Sequence, residues 1–383
     1  MSVTAAHGFV AAGVTAGLKA SGTPDVALVV NTGPRDSVAA VYTSNRCVAN
    51  PVLWSRQATA DGSARAVVLN SGGANCYTGP DGFATTHATA ELVAQRTGCG
   101  AAEVVVCSTG LIGVGLFREV LLAGVGAAAD ALSPEGGAAA ARAIMTTDSV
   151  PKEASLSRGG VVVGGMAKGA GMLAPALATM LVVLTTDADV DAATCDRALR
   201  AATRVTFDRL DSDGCQSTND TVVLMASGSS GVAPEAAVFD AAVAAVCHDL
   251  TQQLVRDAEG AEHDISITTS GAATEDDAVE VSRAVARSNL FKAAVFGRDP
   301  NWGRILAAAG TTRAAFDPLV LDVSVNGVLV CRGGMAHEDP ALVDLSARAV
   351  DVVVDLKEGD ASATVWTNDL THAYVHENSA YST

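Results

Sequence analysis

Short apolar runs rich in valine recur along the chain, and each closes on small polar residues. VAAVYTS, ARAVVLNSG, EVVVCSTG, GVVVGGMAKG, TMLVVLTTDA, DTVVLMASG and DISITTSG all have this form. Runs of that length rich in β-branched residues predict buried strands. Alanine-rich stretches between them predict helices. The clearest covers 234–260, where Phe239, Val243, Val246, Leu250 and Leu254 recur at three- and four-residue spacing. Pro234 opens it and Gly260 closes it, as helix ends often require. From about residue 281 the pattern changes. LVLDVSVNGVLVCRGG predicts a hairpin turning at Asn326-Gly327, VDVVVDLKEGDASATVWT a second hairpin, and THAYVH a last strand. The expected class is α/β or α+β, with sheets covered by helices. A soft boundary near residue 280 separates a layered core, 1–280, from a smaller C-terminal α/β domain, 281–383.

Composition narrows the function classes. With 49% hydrophobic and 17% charged residues over 383 positions, the chain has ample core material and little sign of disorder. The net charge of -17 argues against a nucleic-acid or anionic-membrane partner and suits small-molecule chemistry. Aromatics are scarce at 4%, so stacking on bases or sugars is not a theme. The eight cysteines form no CxxC pair and no His spacing of a zinc site, so no metal is expected and the thiols suit a reducing compartment. No basic segment precedes the apolar part of the N-terminus and no apolar run has transmembrane length, so the expected location is cytoplasmic.

Four strand ends carry clusters of Ser, Thr, Asn and Gly: NSGGANCYTG at 70–79, CSTGLIG at 107–113, MTTDSVPK at 145–152 and STNDT at 217–221. Each alone is ordinary turn chemistry. Together they suggest a polar pocket rimmed by hydroxyls and backbone N–H groups, as acyl transfer needs. The glycine-rich runs match neither the dinucleotide nor the P-loop spacing, and no GxSxG elbow is present. No histidine stands out as the partner of a catalytic Ser or Cys.

A nucleophile that needs no separate base remains, and Thr179 in KGAGMLAPALATMLVVLTTDA can be one. A cut between Ala178 and Thr179 would set a new α-amino group beside the threonine hydroxyl. An unperturbed α-amine titrates at roughly 7.7–8.0, so it is partly neutral near pH 7 and can take the hydroxyl proton. Before the cut, the same hydroxyl could attack the Ala178 carbonyl and form an ester that water opens. The competing reading is a threonine that starts a core strand.

The stretch around Thr179 resembles the self-processing segment of the ornithine acetyltransferase family, the bifunctional glutamate N-acetyltransferases of arginine biosynthesis. The resemblance runs nearly end to end, through GFVAAGVTAGLK, TSNRCVANPV, CSTGLIG, MTTDSVPK, DSDGCQSTNDT, VRDAEGAEHDI, FGRDPNWGRI and DLTHAYVHENSAYST. It implies a core of the N-terminal-nucleophile type, and self-cleavage into fragments 1–178 and 179–383 that stay associated as a dimer of fragment pairs. It assigns Thr179 as the acetyl-accepting nucleophile, and Thr109 and Gly110 as the oxyanion-stabilising pair. Thr146 (taken over Thr147), Lys168, Thr179, Glu259, Asn378 and Thr383 become substrate contacts.

The implied reaction is ping-pong. Acetyl leaves N2-acetyl-L-ornithine for Thr179, and L-glutamate then collects it, with no cofactor. Acetyl-CoA as a second donor stays open. Glu259, at the C-terminal end of the predicted helix, would meet the δ-ammonium of ornithine. Two rival readings remain: an N-terminal-threonine amidohydrolase or aminopeptidase using the same Thr179, and an uncleaved small-molecule-binding protein.

Overall fold

The computed structural model describes residues 2–174 and 180–380. The valine-rich runs become strands of three sheets. The first has the order β1 (Phe9–Val14), β2 (Val26–Asn31), β4 (Ala66–Asn70), β5 (Val104–Ser108), with β4 and β5 parallel. The second has the order β3 (Ser37–Tyr42), β9 (Thr221–Ala226), β8 (Leu181–Thr186), β7 (Val161–Lys168), β6 (Lys152–Arg158), with β8 and β9 parallel.

The two sheets pack face to face. Ala27 and Val29 of β2 and Val67 and Leu69 of β4 meet Leu181 and Val183 of β8 and Val223 and Met225 of β9. The alternate residues turn outward. Val26, Leu28, Ala66 and Val68 pack under α2 (Gly79–Thr97) and α3 (Arg118–Asp130). Val182, Leu184, Val222 and Leu224 pack under α5 (Ala192–Val205) and α6 (Ala236–Arg256). The result is a helix–sheet–sheet–helix stack, the layered α/β core expected. Strands covered on both faces lose polar alternation, which is why they read as unbroken apolar runs. Two short helices close the sides. α1 (Asn50–Ala58) lies against β5, and α4 (Gly137–Ala143) adds Ala140, Ala141 and Ala143 to the inter-sheet core.

The third sheet has the order β13 (Met335–Ala336), β12 (Val328–Arg332), β11 (Asp322–Val325), β14 (Ala349–Asp355), β10 (Asp264–Ala272), β15 (Ala361–Asn368). One face packs on α7 (Glu275–Ala286), α8 (Asn289–Phe296) and α9 (Trp302–Ala309) through Ile265, Ile267, Val281, Val285, Phe291, Ile305, Val350, Val352 and Val354. This sheet takes its first strand at Asp264, on the N-terminal side of residue 280.

The Asn326-Gly327 hairpin forms as expected between β11 and β12, with φ of +46° and +81°. Both central residues are left-handed, the backbone that this dipeptide favours. The second expected hairpin does not form. β10 lies between β14 and β15, parallel to the first and antiparallel to the second. Residues 356–360 therefore cross two inter-strand spacings, roughly 10 Å, and fasten to the end of β10 through Leu356 N–H to Ser270 O and Glu358 N–H to Gly271 O.

The expected last strand is also corrected. THAYVH opens a helix, α10 (His372–Ala380). Thr371 decides it, since its Oγ1 accepts the Tyr374 N–H at 2.9 Å and so caps the first turn. Among the described residues no helix is long and apolar enough to cross a membrane.

Candidate active site

Three of the polar clusters meet where β4 and β5 end and β9 begins. Asn70, the last residue of β4, accepts the Thr109 N–H at 2.9 Å through its carbonyl, and its Nδ2 donates to Ser108 Oγ at 2.6 Å. Asn219, just before β9, ties the loops together by donating from Nδ2 to Ala74 O at 2.6 Å and to Ser108 O at 2.8 Å. These are the side-chain-to-backbone bonds that irregular backbone needs when it is buried. Gly110 follows with φ of +129°, and a Cβ there would stand 2.9 Å from the Cα and N of Gly73. Only glycine fits. Among the described residues the Gly110 N–H has no hydrogen-bond acceptor.

Lys168 ends β7 and is 2% exposed. Its Nζ donates to Thr109 Oγ1 at 3.1 Å. A hydroxyl that accepts from an ammonium keeps its own proton to donate, and among the described residues the Thr109 Oγ–H has no acceptor, so it can serve a negative oxygen. Burial pulls the Lys168 pKa down; Asp148, Asp220 and Glu259 oppose that pull, while Lys152 adds to it.

The fourth polar cluster reaches this lysine through Asp148. Its Oδ1 takes the Gly169 N–H at 2.7 Å and Lys152 Nζ at 2.6 Å, and its Oδ2 takes the Thr146 N–H at 2.9 Å. Burial alone would raise the Asp148 carboxyl, but Lys168, Lys152 and the Gly169 N–H together hold it below the usual range. Asp220 differs. It is fully buried, and burial pushes its carboxyl well above the usual range. Its Oδ1 accepts the Met180 N–H at 3.0 Å, fixing the backbone at the residue that follows Thr179 in the sequence.

A second group of residues stands on the loop after β7. Glu259 donates its N–H to Ala170 O at 3.0 Å, and a Cβ on Gly171 would fall 2.5 Å from the Glu259 carboxylate. Asn378 of α10 donates from Nδ2 to Glu259 Oε2 at 3.0 Å. The expected place of Glu259 shifts slightly. α6 stops at Arg256, and because the Glu259 N–H is held by Ala170 rather than by a helical carbonyl, Glu259 occupies the turn beyond the helix. Tyr374 lies near it, its pKa raised to about 12 by burial and by Asp213, Glu259 and Cys215.

The structure thus brings Thr109, Gly110 and Lys168 together, ties the half-buried Thr146 to them through Asp148, and joins Glu259 to Asn378. Ala178, Thr179 and Thr383 lie outside the described residues. Leu173, shortly before Thr179 in the sequence, accepts the Ser212 N–H at 2.6 Å, and Met180, just after it, is anchored by Asp220. Asp148 and Asp220 escaped the sequence reading, although both stand inside the quoted clusters MTTDSVPK and STNDT. Their signal was an acid among turn-forming hydroxyl residues, which is what an exposed Asx turn also contains.

Comparison with known proteins follows the same line. A family model described as ArgJ family matches residues 10–383. The arginine biosynthesis bifunctional protein ArgJ of Streptomyces coelicolor is 65% identical over 382 residues, covering 100% of both chains. The protein of the same name from Streptomyces avermitilis is 63% identical with the same coverage. Among solved structures, ornithine acetyltransferase complexed with ornithine from Mycobacterium tuberculosis is 51% identical, covering 47% of this chain and 96% of that chain at a TM-score of 0.43.

Proposed function

Because this chain belongs to the ArgJ family, we propose that it is the glutamate N-acetyltransferase of arginine biosynthesis that moves acetyl from N2-acetyl-L-ornithine to L-glutamate through Thr179. The chain is an acyltransferase. In the proposed cycle the Thr179 α-amine takes the hydroxyl proton as the oxygen attacks the acetyl carbonyl. Thr109 Oγ–H and Gly110 N–H meet the oxyanion. On collapse the proton passes to the departing nitrogen of ornithine. The amine of glutamate then attacks the Thr179 ester, and the hydroxyl is re-formed.

The observation that carries this reading is the Lys168–Thr109 hydrogen bond beside a Gly110 N–H with no acceptor among the described residues. It aims two unspent donors from a preorganised turn at the end of β5, the arrangement that stabilises tetrahedral intermediates. Glu259 and Asn378 then serve the ornithine end, with Thr146, Lys168 and Thr383 as further contacts.

The proposal includes self-cleavage between Ala178 and Thr179, with fragments 1–178 and 179–383 remaining joined and pairing into a dimer of such pairs. Sheet pairing supports the joining. β7 of the first fragment is hydrogen-bonded to β8 of the second, from Val163 opposite Thr186 to Lys168 opposite Leu181. β3 of the first pairs with β9 of the second. Separation would unzip both seams and expose two cores. A cytoplasmic site of action suits the eight cysteines, all of them free thiols.

A product assay tests the reading. N-acetylglutamate and ornithine are expected in equal amounts when acetylornithine and glutamate are both supplied. Release of acetate at the same rate with or without glutamate would instead identify a hydrolase.

A further inference from the structure

A cavity of about 420 Å³ opens between the four-layer core and the C-terminal sheet, with Ser212, Asp213, Glu259, Asn289, Lys292 and Tyr374 in its lining. Glu259 stands on one wall, and the start of α8 forms another. Asn289 and Lys292 are three residues apart on that helix and so share a face. A helix start also turns free N–H groups and the positive end of its dipole outward.

Lys292 is 6% exposed, and its Nζ donates to the Ser212 carbonyl. An ammonium has three protons, so among the described residues that one bond leaves donor capacity unused. The nearby acids have partners of their own. Asp211 is held by Arg287 at 2.7 Å, Asp369 by His263 at 2.7 Å, and Glu259 by Asn378. Asp213 takes the Cys215 N–H at 3.0 Å, and burial raises its carboxyl. Burial likewise pulls the Lys292 pKa down, with Asp213, Asp211 and Asp369 opposing. The neighbouring acids offset part of the charge, but buried donor protons without an acceptor remain unfavourable until one reaches them.

The acetyl-transfer reading requires one site to serve two amino acids with opposite side-chain charges, the δ-ammonium of acetylornithine and the γ-carboxylate of glutamate. Glu259 suits the first and repels the second. We propose that Lys292, at the N-terminal end of α8, receives the γ-carboxylate of the acceptor glutamate, so that separate walls of one cavity read the two side chains. This rests on the transfer reading.

The test uses the two half-reactions of the full enzyme. Glutamine has nearly the shape of glutamate without its charge. Wild-type acetylated enzyme should prefer glutamate over glutamine by about ten- to hundred-fold, the range of a hydrogen bond to a charged group. Lys292→Gln should bring that ratio towards one, with far less loss in ornithine release from acetylornithine, and Lys292→Arg should keep the preference. Glu259→Gln should show the reverse split. A wild-type enzyme that uses glutamine as well as glutamate would overturn the assignment without any variant. Equal losses in both half-reactions of Lys292→Gln, with no rescue by arginine, would mark Lys292 as a support for Ser212 and overturn it too. An enzyme that releases no ornithine from acetylornithine would bring down the transfer reading itself.

Discussion

Replacing Thr179 by alanine is expected to leave a single uncut chain with no transferase activity. One hydroxyl is asked to do two things, to open the Ala178–Thr179 bond and to carry the acetyl group. Alanine removes it from both. Thr179→Ser keeps a hydroxyl beside the same backbone and should still be cut. A denaturing gel reads the outcome directly. Two fragments from Thr179→Ala would mean that another protease makes the cut, and the self-processing account would fall. The sheet pairing between β7 and β8 adds a second expectation for the cut enzyme: both fragments should elute together under native conditions and separate only when unfolded.

Removing the Thr109 hydroxyl should have the next largest effect. Loss of one oxyanion donor lowers turnover by about 10²–10³, or roughly 2.7–4 kcal/mol. Here the same change deprives the buried Lys168 ammonium of its acceptor at 3.1 Å, which favours its neutral form further. Thr109→Ala should therefore reduce kcat by that factor while the KM for acetylornithine moves little, and Thr109→Ser should recover most of the loss. A raised KM with normal turnover would place Thr109 in ground-state binding instead.

Much of the core was legible because its strands are buried on both faces. Val26 to Val30 of β2 alternate between the inter-sheet core and the helices, so the run is apolar throughout and easily seen. What failed was local pattern where distant partners decide. β14 and β15 look like a hairpin over a dozen residues, yet β10, far away in the chain, takes the place between them. THAYVH alternates like a strand, but α10 buries no residue, so it has no apolar stripe to betray its helical period. Only the Thr371 cap marks it.

The site shows the same division. Composition and spacing led as far as a polar, hydroxyl-rimmed pocket and a base-free nucleophile; the residue roles came from the family resemblance. Asp148 and Asp220 went unnoticed because sequence does not separate a buried acid from one in a surface turn. Burial makes the difference, tying one to Lys152 and Thr146 and lifting the carboxyl of the other. Lys292 was hidden for a like reason, as a single lysine within an apolar helix whose cavity is completed by Ser212 and Glu259 from other parts of the chain.

The central claim is that acetyl rests on Thr179 between donor and acceptor. The intact mass of fragment 179–383 after mixing enzyme with acetylornithine, before and after glutamate is added, tests it most directly. The expected result is a fragment heavier by one acetyl group, with the label on its N-terminal residue, that returns to its original mass as N-acetylglutamate appears. A fragment that stays unmodified while transfer proceeds, or an acetyl group found on fragment 1–178, would contradict it.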